Sequence, residues 1–344
     1  MSKKALVALS GCVDSAVWAY ILKERGYEVT GIMLHLYDKP DSIDLEDAKS
    51  VCEKLNIPLV NPDYRQEFRE LVINRFAEDY VNGKTPNPCV DCNRYVKLPF
   101  VFKYAEEKGF DYVATGHYAR VKYDENRGKY LLLRGEDRKK DQSYVLYNLK
   151  QKELSRLLLP IGEISKDEVR KIAESQGFSV AHKSDSQDIC FIEGDYYDFL
   201  KSECGVTLIP GDFINKDGRV LGKHKGAVCY TRGQRKGLGL ALPEPMYVVA
   251  KDMEKNTVTL GFNDDLMSCE VLSQEVNLIS VDEINEPLEV TSKVRYNQVD
   301  TEAVATMENS LLKVVFKYPQ RAVTEGQSLV LYRGDEVLGG GKII

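Results

Sequence analysis

The chain has 344 residues, 43% of them apolar, a formal net charge of −6 and eight cysteines. That length predicts a sizeable core shared among two or three domains, and the apolar fraction is that of an ordinary globular protein. The negative balance excludes a protein that coats nucleic acid by bulk attraction and leaves only local basic surfaces, such as Arg138-Lys139-Lys140, Lys223-His224-Lys225, and Arg232 with Arg235-Lys236. Lys3-Lys4 ahead of a short apolar run resembles the start of an export signal, but Ser10-Gly11 and Asp14 interrupt it. No later run is long enough to span a bilayer, so a cytoplasmic setting with reduced thiols is expected. The cysteines are then reagents or ligands before they are a disulfide scaffold.

In chain order, Ala5–Leu9 reads as a buried strand, followed by a helical pattern (Val13, Val17, Tyr20, Ile21) that Gly26 stops. A strand over Val29–Leu36, a helix over Asp44–Leu55, a strand over Ile57–Val60 and a helix over Gln66–Tyr80 follow. Arg94–Lys108 is helical with Pro99 as a kink or late start, and Asp111–Thr115 supplies another strand. Ala119–Arg134 reads as a hairpin turning at 124–128, and Ser165 with Glu168 forms a capping box for a helix running to Gln176, with Gly177 beyond its end. This alternation predicts a parallel sheet with crossover helices. Past Cys204 the helical period fades. Strand pairs are expected at 212–214 with 219–221, and at Tyr247–Lys251 with Thr257–Gly261. The runs Leu288–Tyr296, Glu302–Met307, Leu312–Phe316 and Ser328–Tyr332 then predict a small closed β-barrel.

Two constellations carry chemistry. SGCVDS, Ser10 to Ser15, sits between the first strand and its helix, where backbone amides and the two serine hydroxyls hold a polyphosphate and Asp14 holds a magnesium ion. It lacks the G-x-x-x-x-G-K pattern of kinase-type P-loops, and an ordinary capped strand-to-helix turn is the alternative. The second is Cys89-x-x-Cys92 in the Pro-rich segment TPNPCVDCNRYVK, answered by Cys190 in SDSQDICFI. A thiol near a helix N-terminus favours its thiolate. A closed zinc site is not supported, since no second C-x-x-C and no nearby His pair exist. Three cysteines instead suit three corners of an iron–sulfur cube with one open iron; three small buried thiols are the alternative. Cys52, Cys204, Cys229 and Cys269 have no matching partners, and Cys12 lies inside the phosphate loop.

The ordered segments SGCVDSAV, TPNPCVDCNR, ATGHYARV (Ala114–Val121), KDQSYVLYNL (Lys140–Leu149), ICFI (Ile189–Ile192), YTRGQRKGLGL (Tyr230–Leu240), VRYNQ (Val294–Gln298) and GQSLVLY (Gly326–Tyr332) resemble the tRNA-specific 2-thiouridylases of the MnmA type. The resemblance covers nearly the whole chain. It implies an N-terminal α/β ATP-pyrophosphatase (PP-loop, adenine nucleotide alpha hydrolase-like) domain with a parallel sheet over 1–203. A small central β domain over 204–269 and a C-terminal tRNA-contacting β-barrel over 270–344 complete the implied fold. The implied reaction is ATP-dependent 2-thiolation of the wobble uridine of tRNA: adenylation of the C2 oxygen, then sulfur transfer.

By the same resemblance, ATP is bound by Ala8, Leu9, Ser10, Gly11, Cys12, Val13, Asp14, Ser15, Leu34 and Gly116, with Mg2+. Cys92 matches the nucleophile and Cys190 the persulfide carrier. Asn87, Pro88 and Cys89 match the loop that meets the target base, while His117, Lys140, Asp141, Gln142, Arg295, Tyr296 and Gln327 fall at tRNA-contacting positions. The implied partners are tRNA and a sulfur donor, either a persulfide carrier protein or inorganic sulfide, and no membrane. Two departures stand out. Cys89 replaces the Asp of many family members, so a [4Fe–4S] cluster on Cys89, Cys92 and Cys190 competes with a two-cysteine relay. Cys12 replaces a Gly, which weakens ATP binding if that position needs positive φ or close approach of backbone to phosphate. Other readings are a PP-loop ligase acting on a small amino acid and a nonenzymatic tRNA-binding relative.

Overall fold

The computed structural model describes residues 2–38, 43–183 and 189–344. In its first half the strands are β1 (Lys4–Ala8), β2 (Glu28–Ile32), β3 (Leu59–Val60), β4 (Tyr112–Ala114), β5 (Ala119–Asp124), β6 (Lys129–Arg134) and β7 (Leu157–Leu158). Five of them form a parallel sheet in the order β3-β2-β1-β4-β7. Ala5, Leu6 and Val7 are fully buried, as a strand covered on both faces requires. One face packs on helices Val13–Glu24, Asp44–Leu55 and Lys166–Ser175, the other on helix Leu98–Glu107. The helix limits follow the sequence. Ser165 and Glu168 form the expected capping box, Gly177 takes φ +60 past the end, and Asn56 closes Asp44–Leu55 at φ 48.

The expected strand from Val29 to Leu36 stops at Ile32, because beyond it the chain keeps only single contacts such as Met33 N–H to the Val60 carbonyl. The middle strands β8 (Gly211–Ile214), β9 (Val220–His224), β10 (Tyr247–Asp252) and β11 (Thr257–Gly261) form a sheet ordered β10-β11-β8-β9. Asn215 builds the predicted turn by accepting from the amides of Asp217 and Arg219. A helix over Tyr196–Cys204, absent from the sequence reading, buries Leu200 in the cluster that joins Phe76 and Tyr80 to Phe213 and Val248.

The barrel consists of β12 (Met267–Leu278), β13 (Leu288–Lys293), β14 (Thr301–Glu308), β15 (Leu311–Arg321), β16 (Ser328–Arg333) and β17 (Glu336–Ile343), and β12 pairs with β17 to close it. Sequence reading supplied the inner strands but neither closing strand. In β17 the glycines hide the pattern. A Cβ on Gly341 would lie 2.7 Å from both the Gln274 carbonyl oxygen and Ser273 Oγ, so glycine here permits the closing contact. The predicted hairpin of β5 and β6 forms, and β6 then pairs with β17, joining the barrel sheet to the first half of the chain. Among the described residues no helix is long and apolar enough to cross a membrane.

Gly341→Val should therefore destabilise the protein by about 1–3 kcal/mol or more, as overpacking against backbone does. Thermal unfolding measures this; an unchanged melting temperature would show that closure does not depend on this contact.

Candidate active site

The chain leaves β2, β1 and β4 at their carboxyl ends in three adjacent loops, beside the point where strand order reverses. Open α/β sheets bind ligands at such a crevice. The expected nucleotide residues Ala8 to Ser15, Leu34 and Gly116 all lie there. Gly11 has φ +66, and a Cβ on it would meet the Asp44 carbonyl oxygen at 2.5 Å, so this position requires glycine. Cys12 has φ −113 and ψ 164, an extended conformation open to any residue, and its departure from Gly brings no backbone strain. Its sulfur lies 2.9 Å from Ser10 Oγ and does not cap the helix. Ser15 Oγ donates to the Cys12 carbonyl at 3.0 Å and accepts from the Ser10 amide at 3.3 Å. The first turn of Val13–Glu24 thus keeps amides for an anion, at the positive end of the helix dipole.

Asp14 departs from its expected role as a magnesium ligand. Both carboxylate oxygens accept from Lys166 Nζ at 2.7 Å, and Oδ1 also accepts from Tyr118 OH at 2.7 Å. Lys166 is buried, so the pair is a structural ion pair at the loop, and the carboxylate as placed does not fit a metal ligand. Lys183 plays a similar part, donating to the Gly11 carbonyl at 3.0 Å and to Asp44 and Asp47 at 2.7 Å each. No local motif marks either lysine, because each reaches the loop from more than a hundred residues away.

Cys89 and Cys92 stand on a helix that runs as Pro88–Asp91, a π-helical turn Cys92–Lys97, and Leu98–Glu107. Pro99 has no N–H for the carbonyl four residues back, and the widened turn stands just before it. Asn87 Oδ1 caps the start, accepting from the Cys89 and Val90 amides at 3.2 and 3.4 Å. Those amides are therefore already engaged, and the expectation of a favoured thiolate is overturned. Burial pushes the Cys92 thiol up to about 11; Lys97 opposes the rise, while Cys190 and Cys89 add to it. Cys89 is exposed as a residue, yet its thiol is also raised, by desolvation of the sulfur first and then by Cys190.

Cys190 is exposed, and its carbonyl accepts from Tyr37 OH at 2.6 Å. Its neighbour Phe191 is buried, 5.6 Å from the rings of both Phe68 and Phe76. The charges of Cys89, Cys92 and Cys190 act on one another, and all three are free thiols. Among the described residues, however, no three His, Cys, Asp or Glu side chains converge as a metal-holding group. The trio is a neighbourhood of thiols, and as placed it does not fit the expected cluster ligand set.

His117 is buried beside Thr115 Oγ1, 2.8 Å from its Nδ1. Burial, and then Lys97, push its pKa down to about 3, so it offers a neutral ring rather than a cation. Lys97, which acts on Cys89, Cys92 and His117 together, went unnoticed in the sequence; its spacing of five from Cys92 matters only across a π turn.

The barrel reaches the same place. Gln327 Nε2 donates to the Thr85 carbonyl at 2.7 Å, and the Thr85 amide donates to the Glu325 carbonyl at 2.9 Å. Arg94 pairs with Glu275 at 2.8 Å and Asp79 with Lys342 at 2.7 Å. Tyr296 OH donates to the Asp141 carbonyl at 3.1 Å; burial, then Asp141 and Cys89, raise its phenol to about 12. Tyr296 therefore lies beside the Asn87-Pro88-Cys89 loop. Other expected tRNA residues have structural partners: Arg295 donates to the Arg321 and Ala322 carbonyls, the Asp141 carboxylate accepts from the Gly135 and Ser143 amides, and Gln142 Oε1 accepts from the Tyr118 amide. Lys140 is half-buried on the turn after β6.

Three family models match in succession: a tRNA methyl transferase HUP domain over residues 3–194, a tRNA methyl transferase PRC-barrel domain over 197–262, and an aminomethyltransferase β-barrel domain over 268–343. The tRNA-specific 2-thiouridylase MnmA of Clostridioides difficile is 44% identical over 355 residues, spanning 100% of this chain and 98% of that protein. Its counterpart in Carboxydothermus hydrogenoformans is 47% identical over 355 residues, spanning 99% and 97%. A solved U34-tRNA thiolase NcsA from Methanococcus maripaludis with its [4Fe-4S] cluster aligns at a TM-score of 0.37 and 23% identity, over 58% of this chain and 66% of that one, a likeness too slight to bear on the site.

Asp14→Ala leaves the buried Lys166 ammonium without its carboxylate and should cost about 3–5 kcal/mol, whereas adding Lys166→Met should recover much of that loss. Denaturant melts of the three proteins decide this; equal stability of wild type and Asp14→Ala would remove the pair from the fold's support.

Proposed function

The chain belongs to the tRNA-specific 2-thiouridylase family, and on that premise we propose that it carries out ATP-dependent 2-thiolation of the wobble uridine of tRNA, with sulfur passing through Cys190 and Cys92. The observation that carries this reading is the continuity of the two half-sites. A Cβ on Gly116 would lie 3.6 Å from the Asp14 Cβ, beside the phosphate loop. The next residue, His117, feels Lys97, whose charge also acts on Cys89 and Cys92. A nucleotide at the loop and a base at the thiols would thus share one crevice.

In this reading Ala8 to Ser15, Leu34 and Gly116 hold ATP, and the uridine C2 oxygen attacks its α-phosphorus with loss of pyrophosphate. Adenylation turns a poor leaving oxygen into AMP. The terminal sulfur of a Cys190 persulfide adds to C2, AMP departs, and C2 is left joined to Cys190 through a disulfide. The Cys92 thiolate attacks the Cys190 sulfur, freeing 2-thiouridine and leaving a Cys92–Cys190 disulfide that a thiol reductant reopens. Asn87, Pro88 and Cys89, with Tyr296 beside them, receive the splayed base, since single-stranded loops are read by stacking and edge contacts. His117, Lys140, Asp141, Gln142, Arg295 and Gln327 shape or contact the tRNA face. We assign adenylation to residues 1–203, support to 204–269 and tRNA contact to 270–344.

Cys92→Ser and Cys190→Ser should abolish thiolation while tRNA-dependent pyrophosphate release persists, and Cys89→Ser should be nearly silent. Loss of thiolation in Cys89→Ser together with loss of protein-bound iron would overturn the relay in favour of a cluster. Because Cys92 is raised to about 11, its thiolate fraction grows about tenfold per pH unit between pH 7 and 9. Single-turnover release of 2-thiouridine should rise with pH accordingly, and a flat profile would place the limiting step elsewhere. Lys140→Ala should lower the log–log salt slope of tRNA binding by about 0.7–0.9 if that ammonium meets a phosphate; an unchanged slope removes the contact.

A further inference from the structure

Cys190 has a second side. Besides neighbouring Cys89 and Cys92, it lines an open groove of about 1,120 Å³ between the start of the Arg65–Phe68 helix and helix Tyr196–Cys204. The floor is apolar, built from Tyr37, Ile73, Phe191 and Phe199. Its rigidity comes from the aromatic stack beneath: Tyr37 lies 5.8 Å from Phe68 nearly parallel, and Phe191 meets Phe199 at 5.4 Å. The walls are acidic. Among the described residues that line it, the six carboxylates are Asp38, Asp63, Glu67, Glu193, Asp198 and Glu203, set against the two guanidinium groups of Arg65 and Arg69. Arg65 is itself spent on Asp38 and Asp63, at 2.7 Å each.

This charge decides between occupants. A net of four negative charges around an apolar floor repels a polyanion, so the groove is not a tRNA surface. It equally repels hydrosulfide, a small anion with nothing apolar to bury. What suits it is a protein surface with apolar residues for the floor and Lys or Arg for the rim. We propose that this groove docks a persulfide-bearing donor protein with a basic rim, which loads Cys190 where it lines the groove. The proposal rests on the reading of Cys190 as the persulfide carrier. In the transfer, the Cys190 thiolate attacks the outer sulfur of the donor's cysteine persulfide. A new S–S bond forms at Cys190, the donor's S–S bond breaks, and the donor leaves as a thiolate. The moving sulfur keeps its oxidation state, so no oxidant or reductant is consumed.

The test uses the full chain and, as probe, a cysteine desulfurase carrying a ³⁵S-labelled persulfide, with sodium sulfide as the alternative source. Glu193→Lys combined with Asp198→Lys reverses two exposed wall charges. The expected result is a roughly tenfold slower second-order labelling of Cys190 from the protein donor at low salt, with the gap narrowing as salt screens it, and little change in thiolation driven by excess sulfide, which adds directly to the adenylated C2 with loss of AMP and forms no persulfide. tRNA-dependent pyrophosphate release by the same variant checks that it has folded. Labelling of the variant at the wild-type rate, or an equal loss with sulfide as with the protein donor, overturns the groove as a docking site. Equal labelling of Cys190→Ser and wild type would instead overturn the assignment of Cys190, whatever the groove does.

Discussion

The backbone of Thr85 is the point on which the site depends. The segment from Lys84 to Asn87 has no regular structure of its own, yet it must present the Cys89 and Cys92 helix at a fixed angle. It is fixed from outside: the Thr85 amide donates to Glu325, its carbonyl accepts from Gln327, and Gly326, at φ +89, lets that barrel turn approach Lys84 and Thr85 closely. A buried carbonyl deprived of its donor costs about 1–3 kcal/mol, comparable to the energy that holds a loop in one conformation. The Asp79–Lys342 and Arg94–Glu275 pairs extend the same attachment along the neighbouring helices. The segment that leads into the thiol-bearing helix is thereby tied to the barrel at both its amide and its carbonyl.

Cys92 is buried in the cluster that holds Phe68, Phe76, Val96 and Phe191, and burial sets its chemistry. A thiol raised to about 11 is a poor nucleophile at neutral pH but is also slow to oxidise, since oxidation follows thiolate character. Lys97 pulls the other way. It reaches the thiols because the π turn adds a residue to the helical repeat and brings position 97 over position 92. Desolvation and one ammonium thus compete at Cys92, and desolvation wins.

Much of the fold was legible. Helix Asp44–Leu55, the capping box at Ser165 and the β5–β6 hairpin follow from local chemistry and form as the sequence indicates. The closing strand β17 did not, because its glycines answer to the carbonyls of another strand rather than to their neighbours in sequence. Within the site, the positions of Ser10 to Ser15, Cys89 and Cys92 could be read from spacing, and Cys190 from its match. The state of their groups could not. Asp14 reads as a free carboxylate until Lys166 is placed against it from 152 residues away, and Cys92 reads as a helix-N-terminal thiolate until Asn87 is seen to hold the amides. Segments 39–42 and 184–188, including the Ser184–Asp188 part of the Cys190 motif, lie outside the described residues.

Cys190 stands between surfaces with opposite electrostatic demands. On one side lies the crevice with Lys97, the place proposed for the tRNA base in a chain whose total charge is −6. On the other lies a groove whose carboxylates outnumber its guanidinium groups. The charges that repel a phosphate backbone from this groove are the same ones that suit a basic protein surface. Cys190 is anchored at its carbonyl by Tyr37 OH and through the next residue by the aromatic packing of Phe191, which keeps its thiol at the edge of the groove.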